Sequence, residues 1–265
     1  MKIKIGVCCG PDNFRTAKEC GFDYAEVNFR VFTMNDGEYE KILAAKDAVG
    51  IPIESANCFL PGELPVSGPD IDCEGLRAFL EKGFERAHRL GISMVVFGSG
   101  GARPIPEGYT YHEAAKDIIR VTKHYIAPAA AKYGIEVAFE PLAYNESDTI
   151  NSIAEGCALA AAVDEKNISC IADLYHMYCV GDTYEELRKL GPSITHGHLA
   201  NPTVNKNGIK RYYPLDINEY DYEGFFSALI SCGVERVSLE ARTDDFDRDV
   251  RISAEIMKQL AVISS

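Results

Sequence analysis

The sequence predicts a single α/β domain, residues 1–265, folded as a (β/α)8 barrel of the TIM type. Three observations predict it. Short β-branched runs alternate with longer amphipathic segments along the whole chain, as repeated βα units around a parallel sheet require. A helix, a glycine and a β-branched strand recur as GFDYAEV, GIPIESA, GISMVVF, GIEVAFE and GVERVSL. That regularity suits a closed barrel better than a doubly wound open sheet. A length of 265 residues matches one barrel and buries a large core without disulfides or a structural metal.

Strands are expected at 2–8, 23–28, 51–57, 93–98, 135–140, 168–173, 194–200 and 236–241. Helical periodicity covers 36–49, 72–90, 112–133 and 220–232, each closing on a glycine at the C′ position: Gly50, Gly91, Gly134 and Gly233. The longest irregular stretches, 59–71 and 200–216, both follow strands. They therefore belong on the C-terminal face, where barrel loops build active sites.

Lys plus Arg number 27 against 40 Asp plus Glu, a net charge of -13 that repels a phosphate backbone. Nucleic acid and anionic membrane are thereby disfavoured as partners. A small sugar or polyol is easier to accommodate, and a phosphorylated one needs a local basic patch. The nine cysteines are odd in number, lack a CxxC pair and read as reduced thiols. The opening MKIKIGVCCG shows neither the apolar core of a signal peptide nor a span, so the expectation is a cytoplasmic enzyme.

In a parallel barrel alternate strand residues point inward, and the last inward one stands at the mouth. Four consecutive strands finish their apolar runs on an ionisable group: VAFE on Glu140, CIAD on Asp173, THGHL on His198 and VSLE on Glu240. One such charge costs several kcal/mol unless paired or bound to metal, and any single acid can simply cap its strand against a Lys or Arg. Four together explain one another. Three carboxylates and an imidazole suit a divalent ion, Mn²⁺ foremost, with Mg²⁺, Co²⁺ or Zn²⁺ as alternatives. His196 shares the parity of His198 but lies deeper, and is read as filling a barrel layer and orienting its neighbours.

Glu in FEPLAYNES, Asp-x-x-His in ADLYH, His in HGHL and Glu in SLEAR, in this order and spacing, resemble the xylose isomerase-like TIM-barrel superfamily. Within it the pattern is most similar to sugar phosphate isomerase/epimerase proteins and to ketose 3-epimerases related to D-tagatose and D-psicose 3-epimerases. The resemblance implies that Glu140, Asp173, His198 and Glu240 bind the metal, that Glu140 and Glu240 also act as the catalytic acid and base, and that Glu146 and His176 hold substrate hydroxyls. It also implies a small-molecule sugar as partner, and relatives commonly form homodimers or homotetramers. The chemistry is coherent: a divalent cation chelated by a ketose carbonyl and hydroxyl acidifies the C–H between them. Carboxylates on its two faces then give epimerisation, and a single base gives aldose–ketose isomerisation. An inosose dehydratase-like lyase uses the same logic. An endonuclease IV-like enzyme needs further histidines and a basic groove, against six histidines and an acidic balance here.

One departure concerns the substrate arginine, which in the epimerases follows soon after the histidine of the seventh strand. Here the run is HLANPTVNKNGIKRYYP, and the first basic residues are Lys206, Lys210 and Arg211. Arg211 fills that role from farther along, or Arg242 does, since it shares parity with Glu240. Asn57, Phe59 and Glu26, at or beyond strand ends, are expected to line the pocket, Asn57 by bonding a hydroxyl; Phe59 walls a sugar or closes the barrel. Gly98 to Gly101 (GSGG) lacks the Lys-Ser/Thr of a phosphate loop and reads as a plain turn. Glu85, His88, His112 and His124 fall on helices as surface or packing residues.

Overall fold

The computed structural model describes residues 3–205 and 208–263, so Lys2 and Lys206 lie outside the described residues. Eight strands pair in parallel: β1 (Lys4–Cys8), β2 (Tyr24–Asn28), β3 (Ile53–Asn57), β4 (Met94–Phe97), β5 (Glu136–Phe139), β6 (Ile168–Asp173), β7 (Ile194–Leu199) and β10 (Arg236–Leu239). They close as β1-β10-β7-β6-β5-β4-β3-β2, the (β/α)8 barrel expected from the sequence. Four strands stop short of their anticipated ends, leaving Gly98, Glu140, Ala200 and Glu240 just beyond the ladder at the C-terminal mouth.

Helices ring the barrel, and their ends follow local chemistry. Asn35 caps Asp36–Val49 by accepting from the Glu38 amide at 3.2 Å, and Asp72 caps Cys73–Leu90 from the Gly75 amide at 2.9 Å. Both helices end on a left-handed glycine, Gly50 at φ 70° and Gly91 at φ 90°. The helix expected over 112–133 departs from a single rod: Tyr111–Val121 runs into a π-helical turn, Thr122–Ile126, before Ala127–Ala131. Pro128 accounts for this, because it has no N–H to offer the preceding turn and its ring crowds that turn's carbonyl.

The stretch 200–216 is corrected more substantially. It contains an antiparallel pair, β8 (Asn201–Asn205) and β9 (Gly208–Tyr212), in register from Asn205 opposite Gly208 to Asn201 opposite Tyr212. Polar residues mask the period-two pattern there, although Asn-Gly is a hairpin signal. The pair is tied to the mouth through Arg242, whose amide donates to the Arg211 carbonyl at 3.2 Å.

The main apolar core lies between strands and helices and includes Phe14, Phe84, Phe225 and Leu260. Phe59 belongs to it: its ring meets Phe29 at 5.0 Å and Phe97 at 5.3 Å, edge to face, so it closes the barrel and does not wall a sugar. Met94, Val96, Ala138 and Ile171, inward-facing on β4 to β6, form a second small cluster. Across the lumen the filling is polar, built on Tyr24, Glu26, Ser55, His196 and Ser238. The Tyr24 ring lies directly on Gly6, where a Cβ would come within 2.2 Å of it.

Candidate metal centre

Glu140, Asp173, His198 and Glu240 meet at the mouth, each offering a ligand atom within 4.8 Å of the others. Barrel closure accounts for this: β5, β6, β7 and β10 are consecutive in the sheet, so their inward strand-end residues converge on the axis. His198 Nδ1 lies 3.1 Å from Glu140 Oε1, 3.3 Å from Glu240 Oε2 and 3.7 Å from Asp173 Oδ2. Asp173 Oδ1 accepts from the His176 amide at 2.9 Å, while its Oδ2 is buried without a hydrogen-bond donor.

Glu26 is deeper than expected. It is 1% exposed and sits under the four, where its Oε1 accepts from His198 Nε2 at 2.9 Å. Its Oε2 accepts from Ser55 Oγ and Ser238 Oγ, both at 2.6 Å, and lies 3.1 Å from His196 Nε2. Glu26 therefore anchors the His198 ring through Nε2–H and leaves Nδ1 facing the acids, as carboxylate partners of metal-bound histidines do. His196 braces the same carboxylate from below. Cys8, also grouped with Glu26 and His198, packs against this support, and burial together with the Glu26 and Glu240 charges pushes its thiol well up.

Of the two candidate arginines, Arg211 reaches the centre. Its Nη1 donates to Glu240 Oε2, its Nη2 lies 3.8 Å from Asp173 Oδ2, and its guanidinium stacks over Tyr175 at 4.7 Å. Arg242 is exposed and supplies only a backbone contact to this group. His176, 2% exposed, accepts the Ala143 amide on Nδ1 at 2.9 Å, so the neutral ring carries its proton on Nε2, 2.5 Å from Arg211 Nη2. Burial keeps that ring's pKa down despite nearby acids. Both nitrogens are therefore donors, and both residues line the cavity that opens on the centre. Asn57 Nδ2 donates to Glu240 Oε1 at 2.8 Å, so it orients an acid, and it lines a neighbouring cavity with Cys8 and Glu26 rather than the one at the centre. Glu146 is exposed and stands at the rim.

The two glutamates differ electrostatically. Burial and the Glu240 charge raise Glu140, whereas Arg211 and His198 outweigh burial and pull Glu240 well below the carboxylate range. Burial opposes charge on His198, but Glu26, Glu240 and Glu140 together lift its pKa well above the ordinary value. This gathering of positive charge shows what the acids require. Three carboxylates, one of them with an orphaned oxygen in Asp173 Oδ2, and the His198 Nδ1 that faces them fit a divalent ion with hard or borderline preference.

A cavity of about 300 Å³ opens on the centre, lined by Glu140, Glu240, His176 and Arg211, with Arg30 and Cys58 opposite. Cys58 holds a left-handed φ of 54°, rare for a residue with a side chain. Ser55 and Ser238 escaped the sequence reading although they share parity with Asn57 and Glu240, which is the signal that finds them. Nor is the GSGG segment a plain turn. A Cβ at Gly98 would fall 1.8 Å from Glu140 Oε2, so glycine there makes room for the acid.

A family model described as a xylose isomerase-like TIM barrel matches residues 14–260. The chain is 28% identical over 170 residues to a probable ketose 3-epimerase of Synechocystis sp., covering 62% of this chain and 56% of that protein. It is 26% identical over 135 residues to a D-psicose 3-epimerase of Agrobacterium fabrum, covering 47% and 44%. These matches span about half the length of the curated relatives. Among solved structures, a 3-keto-D-glucoside 4-epimerase of E. coli aligns with TM-score 0.78 at 21% identity, over 98% of this chain and 100% of that one. A D-allulose 3-epimerase of Methylomonas sp. in complex with D-allulose aligns with TM-score 0.79 at 18% identity, over 97% of each. At such identities the structures speak for the fold. With the barrel closed and the family match running through nearly all of it, the chain belongs to the xylose isomerase-like TIM-barrel family.

Proposed function

We propose that the protein is a divalent-metal-dependent sugar isomerase or epimerase acting on a ketose, in which Glu140, Asp173, His198 and Glu240 hold the ion. The observation that carries this reading is the convergence of those four groups at a cavity that Glu140 and Glu240 also line. The epimerase names of the curated relatives support it. Mn²⁺ is the first candidate, with Mg²⁺, Co²⁺ and Zn²⁺ compatible with the same donors.

When bound, the ion would act as a Lewis acid that polarises a carbonyl and lowers the acidity barrier of the adjacent C–H. Glu140 and Glu240 then serve as the proton-transfer pair. Their environments push them in opposite directions, an arrangement that suits one group to give a proton and the other to take one. His176 Nε2 and Arg211 Nη2 offer donors to a substrate oxygen, Asn57 steadies Glu240, and Glu146 meets hydroxyls from the rim. No helix among the described residues is long and apolar enough to cross a membrane.

The test is solvent exchange. Protein loaded with Mn²⁺ and incubated in D₂O with a panel of ketoses is expected to wash deuterium into one carbon next to the carbonyl, with loss of the activity on chelation. Complete absence of exchange across free and phosphorylated ketoses would sink the proposal.

A further inference from the structure

Arg103 is a fully buried arginine whose hydrogen-bond acceptors among the described residues are main-chain carbonyls and no carboxylate. Its Nη2 donates to two main-chain carbonyls, Gly98 at 3.3 Å and Glu140 at 3.1 Å, and its guanidinium lies 5.5 Å from the Phe97 ring centre. Its Nε and Nη1 have no hydrogen-bond partner. A buried charge so poorly satisfied costs more than a leucine or methionine filling the same space. Packing therefore does not account for it. What distinguishes the position is the pair of carbonyls it joins, at the ends of β4 and β5, one of them belonging to Glu140 itself.

The surrounding segment serves the same loop. The Glu140 carboxylate lies over Gly98 so closely that a Cβ would strike it, and a Cβ at Gly100 would come within 2.2 Å of the Glu146 carbonyl. Thr149 Oγ1 donates to the Arg103 carbonyl at 2.7 Å, and the Leu60 amide donates to Ser99 Oγ at 2.8 Å. Residues 98–103 thus form a floor under the chain that runs from Glu140 to Thr149.

We infer that Arg103 is a positioning residue for Glu140: it pins the Glu140 and Gly98 carbonyls from behind, so that the Glu140 carboxylate stands over Gly98 and faces the other three ligands. The inference rests on the metal-centre reading above. Its consequence is that a residue touching neither ion nor substrate sets how well Glu140 binds and transfers protons. Arg103 remains protonated at neutral pH, since burial lowers its pKa only to about 10. The fixed charge beneath Glu140 therefore persists over the working range.

The test compares Arg103→Met, Arg103→Lys and Gly98→Ala with wild type, reading Mn²⁺ affinity from the free-ion EPR signal, folding by circular dichroism and turnover by solvent exchange. Arg103→Met is expected to bind Mn²⁺ about tenfold more weakly and lose about tenfold in kcat, with KM changed less than about twofold. Arg103→Lys keeps the charge without the geometry and recovers part of the affinity. Gly98→Ala displaces the carboxylate with Arg103 intact and reproduces the paired losses. Wild-type affinity and kcat in Arg103→Met would overturn the inference; if that variant does not fold, wild-type affinity in Gly98→Ala would do so. Wild-type protein that binds no Mn²⁺ would remove the metal-centre reading itself, and this inference with it.

Discussion

His198 is held between two carboxylates, its Nε2 2.9 Å from Glu26 and its Nδ1 3.1 Å from Glu140. The lower bond decides which nitrogen is left for an ion. Replacing Glu26 with Gln weakens that control, because the amide can offer His198 either a donor or an acceptor. Mn²⁺ affinity is expected to fall about 10- to 100-fold while the barrel remains folded. Unchanged affinity by calorimetric titration would show that the ring is oriented by packing alone.

The same pair makes the metal-free protein sensitive to pH on two sides. Burial disfavours the Glu26 anion, but His198 and His196 outweigh it and hold the group well below its ordinary 4.5. A depressed carboxyl stabilises the fold above that ordinary value, and the contribution is lost as pH falls through the folded one. His198 is raised above its ordinary 6.5, so its contribution is complete below 6.5 and disappears as pH rises through the folded value. Thermal melts in chelator are therefore expected to fall away toward acid below 4.5 and again on the alkaline side, with both slopes shallower in Glu26→Gln. Parallel profiles for the two proteins would assign the dependence to other groups.

Glu140→Gln and Glu240→Gln should each retain the other three ligands and lose activity by about 10²- to 10⁴-fold, the usual contribution of a positioned acid or base. Single-turnover exchange separates their roles. If each glutamate serves one face, one variant keeps exchange with solvent while both lose net epimerisation. Wild-type turnover in either variant would remove that glutamate from the chemistry.

Gly6→Ala probes the lumen rather than the site. The new methyl would lie 2.2 Å from the Tyr24 ring, which is fully buried and bonded through its hydroxyl to Ser238 at 2.8 Å. Overpacking of this kind costs about 1–3 kcal/mol, so denaturant melts should show a clear loss of stability. Because Ser238 also supports Glu26, a weaker Mn²⁺ affinity should accompany it. Stability equal to wild type would mean that Tyr24 has room to turn aside.

The four proposed ligands were legible because each stands at the end of a strand-like run, and inward parity along a strand is a local property. The same parity placed His196 below His198. Glu26 was visible as a strand-end acid but not as the partner of His198, since that contact joins residues 172 positions apart. Arg103 left no periodic trace, being a loop residue whose partners lie behind two strand ends. The β8–β9 hairpin was hidden by its polar composition, and with it the reason Arg211, not Arg242, reaches Glu240.

From its sequence alone, then, this chain determines a barrel and the acids at its mouth, because hydrophobic periodicity and strand parity act over a few residues. Tertiary structure alone decides which nitrogen of His198 faces those acids, which arginine joins them and what supports Glu140 from behind. These depend on how far strands tilt and loops fold back once the barrel closes, which brings together side chains that no local pattern relates.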